Sequence, residues 1–201
     1  GAQTARKILD AADELGVEIV TLYAFSTENW SRPTDEVKGL MILLEFFIEQ
    51  ERAYMIKKET RLKVIGDMSR LPDSIQKALQ KTIDETSKFS RRTLVLALNY
   101  SGRDEIVRTT NKLIAAGKPV DWETIAANLD TAGTPDPDLI IRSSGEMRLS
   151  NYMMLQAAYS ELYFSPTPWP DFTAEEFGQI ISNFGQRERR FGKTSAQVNA
   201  L

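Results

Sequence analysis

Four short apolar runs, VEIVTLYAF (17–25), RLKVIGD (61–67), TLVLALN (93–99) and DLIIR (138–142), are separated by stretches of helical periodicity, and this alternation constrains the chain more than anything else in it. Runs of Val, Ile and Leu without polar alternation are the signature of strands covered on both faces. A helix is predicted over 2–15, where Ala5, Ile8, Leu9, Ala12 and Leu15 share a face and Gly16 supplies the stop. Further helices are predicted over 34–58, with Asp35 and Glu36 in the first turn, over 72–88 and over 104–116. A short one runs from Asp121 through Leu129, and the last, over 173–190, opens on a Thr173/Glu176 capping box. LYF (162–164) is a candidate fifth strand. Strands joined by helical crossovers give an α/β fold: a mostly parallel central sheet flanked by helices. No repeat, low-complexity tract or linker divides the chain, so a single domain over 1–201 is expected.

Composition narrows the chemistry. With 25 basic and 28 acidic side chains the net charge is −3, which gives no electrostatic case for a nucleic-acid partner. There is no cysteine and no histidine, so thiolate nucleophiles, sulfur- or imidazole-bound metals and Ser-His-Asp triads are excluded. Chemistry must run on carboxylates, guanidinium groups, hydroxyls, amides and backbone. The most apolar window, 37–48, is about a dozen residues and falls short of the roughly 20 that span a bilayer. A cytoplasmic protein is expected. The sequence starts inside a helix with no signal peptide or initiator Met, so residues before Gly1 are expected too.

Open parallel sheets bind ligands at the carboxyl ends of their strands. After strand 17–25 come Ser26, Thr27, Glu28, Asn29, Trp30, Ser31 and Arg32, either a helix-capping segment with a packed indole or a site. After strand 138–142 come Arg142, Ser143, Ser144, Gly145, Glu146, Met147, Arg148, Leu149, Ser150 and Asn151. Guanidinium forks grip phosphate oxygens, and Ser-Ser-Gly can turn its N–H groups inward as an anion nest; a turn stabilised by an Arg–Glu146 pair is the plainer alternative. Asn99 to Asp104 ends strand 93–99 in the same manner more weakly, or simply caps the next helix. No Walker loop and no GxGxxG is present, which argues against a nucleotide-dependent phosphotransferase. The helix over 34–58 is apolar nearly all round. It is either buried, as core or dimer interface, or one side lines a greasy channel that would suit a prenyl diphosphate.

The segments FSTENWSRPTDEV (25–37), VIGDMSRLP (64–72), LNYSGRDEI (98–106), DLIIRSSGEMRLSN (138–151), AYSELYF (158–164) and WPDF (169–172) resemble, in order, the motifs of the cis-prenyltransferases, in particular the bacterial undecaprenyl diphosphate synthase branch. The resemblance spans essentially the whole chain. It implies a homodimeric α/β enzyme with a hydrophobic tunnel that adds isopentenyl diphosphate units with cis geometry to an allylic diphosphate, usually farnesyl diphosphate, using Mg²⁺. The product would be a long polyprenyl diphosphate lipid carrier for cell-wall synthesis, with peripheral membrane contact for its release. By matching position, Asn29 would help remove or relay the proton. Ser26, Thr27, Glu28, Trp30 and Arg32 would lie at the substrates, and Arg142, Arg148, Leu149 and Ser150 at the isopentenyl diphosphate. Glu161 would be a carboxylate ligand to Mg²⁺, Ala24 a small tunnel-lining position, and Arg103 and Glu36 supporting groups.

The family also carries an Asp-Gly-Asn-Gly-Arg-Trp loop that binds the allylic diphosphate and supplies a metal-linked Asp, and this sequence contains no such loop. A His of that same stretch is absent, and Met147 stands where some relatives have another. The expectation is that the sequence omits an ordinary N-terminal segment. The alternative is a non-catalytic prenyl-diphosphate-binding subunit of a two-subunit synthase; such subunits generally lack the FSTENW-type segment, which is intact here.

Overall fold

A computed structural model describes residues 1–188. In chain order the elements are α1 (Ala2–Glu14), β1 (Ile19–Ser26), α2 (Thr34–Lys57), β2 (Thr60–Ile65), α3 (Asp73–Thr86) and β3 (Arg92–Tyr100). They continue with α4 (Gly102–Ala115), α5 (Trp122–Ala126), β4 (Leu139–Arg142), β5 (Glu161–Phe164) and α6 (Ala174–Gly185), and single 3-10 turns fill Thr27–Ser31, Met68–Arg70, Gln156–Tyr159 and Trp169–Asp171. The alternation read from the sequence is therefore present element for element. The last two residues of the helix predicted over 173–190 lie outside the described residues.

The chain forms two compact units. The larger comprises Gly16–Pro135 and Ser150–Met154; the smaller comprises Gly1–Leu15, Asp136–Leu149 and the chain from Leu155 onward. In the larger unit the strands lie in the order β1-β3-β2, all parallel, with α2 and α3 as the crossovers. The central strand is the one with the unbroken apolar run: Leu94 to Tyr100 are each no more than 2% exposed, because β3 is paired on both edges and covered on both faces. β1 differs from expectation. Among the described residues it pairs on one edge only, is half-buried along most of its length, and leaves Ala24 exposed. In the smaller unit β4 and β5 form a separate parallel pair, Leu139 opposite Glu161 through Arg142 opposite Phe164. The strands are parallel as predicted, but they pair as two ladders.

Caps fix several helix starts. The Ser101 hydroxyl accepts from the Asp104 N–H, so α4 begins two residues before the predicted position. Asp121 caps α5 through the Thr124 N–H at 2.8 Å, and Thr173 caps α6 through the Glu176 N–H at 3.1 Å. The Glu176 carboxylate accepts from the Ser165 hydroxyl. Along α2, Val37, Met41, Ile48 and Met55 are buried, a stripe at helical spacing that contacts α3. Ile42, Leu43 and Phe46 on the same helix are 68%, 64% and 63% exposed. Among the described residues no helix is long and apolar enough to cross a membrane.

Candidate functional site

The polar segment after β1 is held in place by the sheet. Register shifts between Tyr23, Phe25 and Ser26 bend the strand end, as bulges do where a side chain must be re-aimed. The chain then enters the 3-10 turn Thr27–Ser31, within the segment read as a helix cap or a site. The Ser26 N–H donates to Asn29 Oδ1 at 2.9 Å, which leaves the Asn29 NH₂ as the group available to a ligand. Trp30 donates from Nε1 to Asn99 Oδ1 at 2.7 Å, meets Phe25 edge-on at 5.0 Å between centroids, and lies under the Arg70 guanidinium at 5.6 Å. Arg32 pairs with Glu36 one turn on, at 2.8 Å. Both partners are about half exposed, so the pair contributes little and exchanges easily for an anion.

Glu28 accepts from Thr27 Oγ1 at 3.2 Å and from Asn151 Nδ2 at 2.8 Å. Partial burial pushes its carboxyl up, but the hydrogen bonds from Asn151, its own backbone, Ser26 and Thr27 outweigh that and hold it below the usual glutamate range. It is a fixed anion at neutral pH.

Beneath this turn, β2 and β3 end together. Gly66 has φ +106° and approaches β3 so closely that a Cβ would lie 2.1 Å from Leu98 O; only glycine fits. The turn it permits brings Asp67 to Asn99: Asn99 Nδ2 donates to Asp67 O at 2.8 Å and the Asp67 N–H donates to Asn99 O at 3.3 Å. The Gly66 N–H donates to Asp130 Oδ2 at 2.9 Å, and Asp130 and Asp104 both hold Arg108, each at 2.7 Å or less. Glu105, 1% exposed, accepts from the Tyr100 hydroxyl at 2.7 Å and from the Asp130 N–H at 2.9 Å. Burial first, and the Glu105 charge second, push the Tyr100 phenol far above its ordinary value, so it stays a donor.

The smaller unit carries the second group. Arg142 is the last residue of β4 and half-buried; Leu149 is half-buried and Arg148 exposed. The anion nest expected at Ser143–Gly145 is not formed. Ser144 and Gly145 do take left-handed conformations, φ +72° and +69°. Their N–H groups, however, donate to Thr167 O and Ser165 O, each at 2.8 Å, and the Ser165 N–H donates to Arg142 O at 2.7 Å. The backbone pairing that continues from β5 consumes these two donors, which leaves side-chain guanidinium and hydroxyl groups to take an anion here. Arg148 pairs with Glu146, as the plainer reading of this segment allowed. Glu161 opens β5 and pairs with Arg187 at 2.8 Å. Ser26, Thr27, Glu28, Asn29, Trp30, Arg32 and Ser150 thus belong to the larger unit, and Arg142, Arg148, Leu149 and Glu161 to the smaller.

Among the described residues no cluster of three carboxylates could by itself hold a metal ion. Mg²⁺ is commonly held by one or two carboxylates together with substrate phosphates. Glu161 offers one such carboxylate, one-third exposed, once Arg187 is exchanged. Its donor set fits a substrate-assisted Mg²⁺ site and no other kind.

Between α2 and the start of α3 lies a cleft of about 540 Å³, with Val37, Met41, Ile42 and Ile75 along it and Trp30 and Arg32 at one end. The exposed apolar positions of α2 rule out a wholly buried core helix; Ile42 borders the cleft, while Leu43 and Phe46 do not. Sequence reasoning assigned no role to Asn99, Asp67 or Asn151. Asn99 and Asn151 stood only as members of candidate strand-end segments, and Asp67 as the end of a strand; the signal available was an Asn or Asp placed at a strand end or a turn.

The chain matches the undecaprenyl diphosphate synthase family model over residues 1–192, across both compact units. It is 45% identical over 206 residues to an isoprenyl transferase of Geobacter sulfurreducens, covering 99% of this chain and 84% of the relative. Its fold superposes on the crystal structure of a probable undecaprenyl diphosphate synthase from Campylobacter jejuni with a TM-score of 0.88, at 36% identity over 95% of this chain and 91% of that one. It also superposes on lavandulyl diphosphate synthase from Lavandula x intermedia, crystallised with dimethylallyl diphosphate, with a TM-score of 0.91 at 30% identity, over 96% and 86% of the two chains.

Proposed function

The chain belongs to the undecaprenyl diphosphate synthase family and is a cis-prenyltransferase making a polyprenyl diphosphate; from that premise we propose that it condenses isopentenyl diphosphate onto an allylic diphosphate, farnesyl diphosphate, in a carrier-lipid pathway serving the cell wall. The observation that carries this reading is the 3-10 turn at the carboxyl end of β1, where the Ser26 N–H engages the Asn29 side-chain oxygen and Trp30 borders an apolar cleft.

In the proposed reaction the allylic C1–O bond breaks and inorganic diphosphate leaves. The C3–C4 double bond of isopentenyl diphosphate attacks that C1, a new C1–C4 bond forms, and the C2 proton is lost to a diphosphate oxygen. Arg142 and Arg148 take the isopentenyl diphosphate through charge-assisted hydrogen bonds. Arg148 gives up Glu146 to do so, an exchange that costs little because both groups lie at the surface. Leu149 borders the same ligand, and Arg32 and Ser26 face the allylic one. With its carbonyl oxygen already engaged by the Ser26 N–H, Asn29 acts as a donor. It orients a diphosphate oxygen to receive the proton, a role that suits an amide better than that of a base. Trp30 and the α2 cleft shield the allylic carbon from water, and holding the two ligands in register supplies much of the rate. Mg²⁺, held by Glu161 and substrate oxygens, would offset the charge on the departing diphosphate. The working protein is a cytoplasmic homodimer that touches the membrane only to release its product.

The test incubates the protein translated from the complete reading frame with farnesyl diphosphate, labelled isopentenyl diphosphate and MgCl₂, and sizes the extracted lipid. A ladder ending in one long polyprenyl product is expected. Tight isopentenyl diphosphate binding with no lipid formed would overturn the catalytic reading in favour of a binding subunit.

A further inference from the structure

We propose that Asn99 and Asn151 are positioning residues that clamp the 3-10 turn bearing Asn29, one by its Trp30 indole and the other by its Glu28 carboxylate. The role is stated for the condensation proposed above and rests on that reading. In a 3-10 helix three residues make a turn, so successive side chains point about 120° apart. Glu28, Asn29 and Trp30 therefore face three directions. Fixing two of them fixes the rotation of the turn about its axis, and with it the direction of the third, Asn29.

Each asparagine uses both ends of its amide. Asn99, 1% exposed, accepts from Trp30 Nε1 at 2.7 Å and donates to Asp67 O at 2.8 Å. Asn151 donates to Glu28 Oε1 at 2.8 Å and accepts from the Arg103 N–H at 3.0 Å, while its own carbonyl accepts from the Gly102 N–H at 2.7 Å. The far side of each clamp is regular structure: the β2 and β3 ends for Asn99, the start of α4 for Asn151. An aspartate could not donate, and a leucine could do neither. Both residues also sit at left-handed φ, +47° and +63°, a conformation asparagine tolerates better than most side chains. The residue type is thus specified twice at each position, by the backbone and by the paired donor and acceptor.

The left-handed backbone supplies a clean test, since glycine keeps that conformation while deleting the amide. The complete protein, labelled with 5-fluorotryptophan, has resonances from Trp30, Trp122 and Trp169 within this sequence, and Trp30→Phe identifies the first. Asn99→Gly should shift or broaden the Trp30 resonance and leave the Trp122 and Trp169 resonances in place. Asn99→Gly and Asn151→Gly should each lower kcat by about a hundredfold, the scale of a misplaced reacting group, with far smaller changes in KM for isopentenyl diphosphate. In the Trp30→Phe background Asn99→Gly should cost nothing further. A Trp30 resonance unmoved by Asn99→Gly overturns the clamp, as does an undiminished second loss in the Trp30→Phe background, which a general weakening of the fold would produce. If the unmutated protein forms no polyprenyl lipid, the condensation reading fails instead, and the fluorine shift still decides whether Asn99 holds Trp30.

Discussion

Two glycines with left-handed backbones separate conformational strain from steric conflict. At Gly117, just past α4, φ is +63° and a Cβ would meet nothing within 4 Å. At Gly66, φ is +106°, and a Cβ would lie 2.1 Å from Leu98 O and 3.0 Å from both Asn99 O and the Tyr100 Cβ. Alanine at Gly117 therefore carries only the backbone cost, roughly 1–2 kcal/mol. Alanine at Gly66 carries a comparable cost plus an overlap with the central strand. β3 yields little at Leu98, since the residue is paired there with Phe25 of β1 and the strand is no more than 2% exposed from Leu94 to Tyr100. Overpacking of that kind typically costs about 1–3 kcal/mol and more when backbone must move. The sum for Gly66→Ala is about 2–5 kcal/mol, a large share of the roughly 5–15 kcal/mol that holds an ordinary domain together.

Urea unfolding of the two variants beside the unmutated protein measures the difference. Gly66→Ala should lose at least about 1 kcal/mol more than Gly117→Ala, on the costs just given. The consequences should also differ in kind. Gly66 leads into Asp67, whose carbonyl takes the Asn99 amide, and Asn99 in turn holds Trp30. Turnover per folded molecule should therefore fall in Gly66→Ala and remain unchanged in Gly117→Ala. Equal stability losses within about 1 kcal/mol would refute the steric argument, since backbone strain alone predicts near equality.

Three further outcomes follow from single contacts. Arg148→Ala should raise KM for isopentenyl diphosphate by an order of magnitude or more. Its stability should stay within about 0.5 kcal/mol of the unmutated protein, since its partner Glu146 is a surface group; an unchanged KM would remove Arg148 from the site. Tyr100→Phe leaves the buried Glu105 carboxylate without its hydroxyl donor and should cost about 1–3 kcal/mol in urea unfolding. A cost near zero would mean that water satisfies Glu105. The Glu28 pKa is lower folded than its ordinary 4.5, so its contribution to stability is present above that value and is lost as pH falls through the folded one. Asn151→Gly removes the strongest of the bonds that lower it, so the stability difference between the two proteins should shrink as pH falls below 4.5; a constant difference would assign Glu28 no part in it.

What was legible in the sequence and what was not divides along contact range. β3 could be read because a central strand of a covered sheet advertises itself locally: TLVLALN has no polar interruption, and burial follows. The caps of α5 and α6 were legible for the same reason, each being a bond across three residues. The Ser-Ser-Gly turn shows where this stops. Its composition announces left-handed backbone, and that is present, but the fate of its N–H groups depends on carbonyls 20 and 23 residues downstream that arrive only because β5 pairs with β4. Local chemistry can say that donors are turned inward; it cannot say what already occupies them. β1 went wrong in the same way, for its apolar run implied two covered faces, while half-burial followed from having one neighbour.

The candidate site is the sharper case. Asn29, Trp30 and Arg32 stand out because they are polar or large at a strand end, and the family resemblance gives them names. The residues that aim them are 69 and 123 positions away in the chain, and at Asn99 and Asn151 the sequence shows only an ordinary turn former. A group that binds a ligand must differ chemically from its surroundings and so can be picked out by type. A group that positions another has only to match one donor and one acceptor, a demand any turn asparagine already meets. Its importance exists only in the fold, and substitutions there, rather than at the named motif residues, test whether the motif acts by identity alone or by the direction in which it is held.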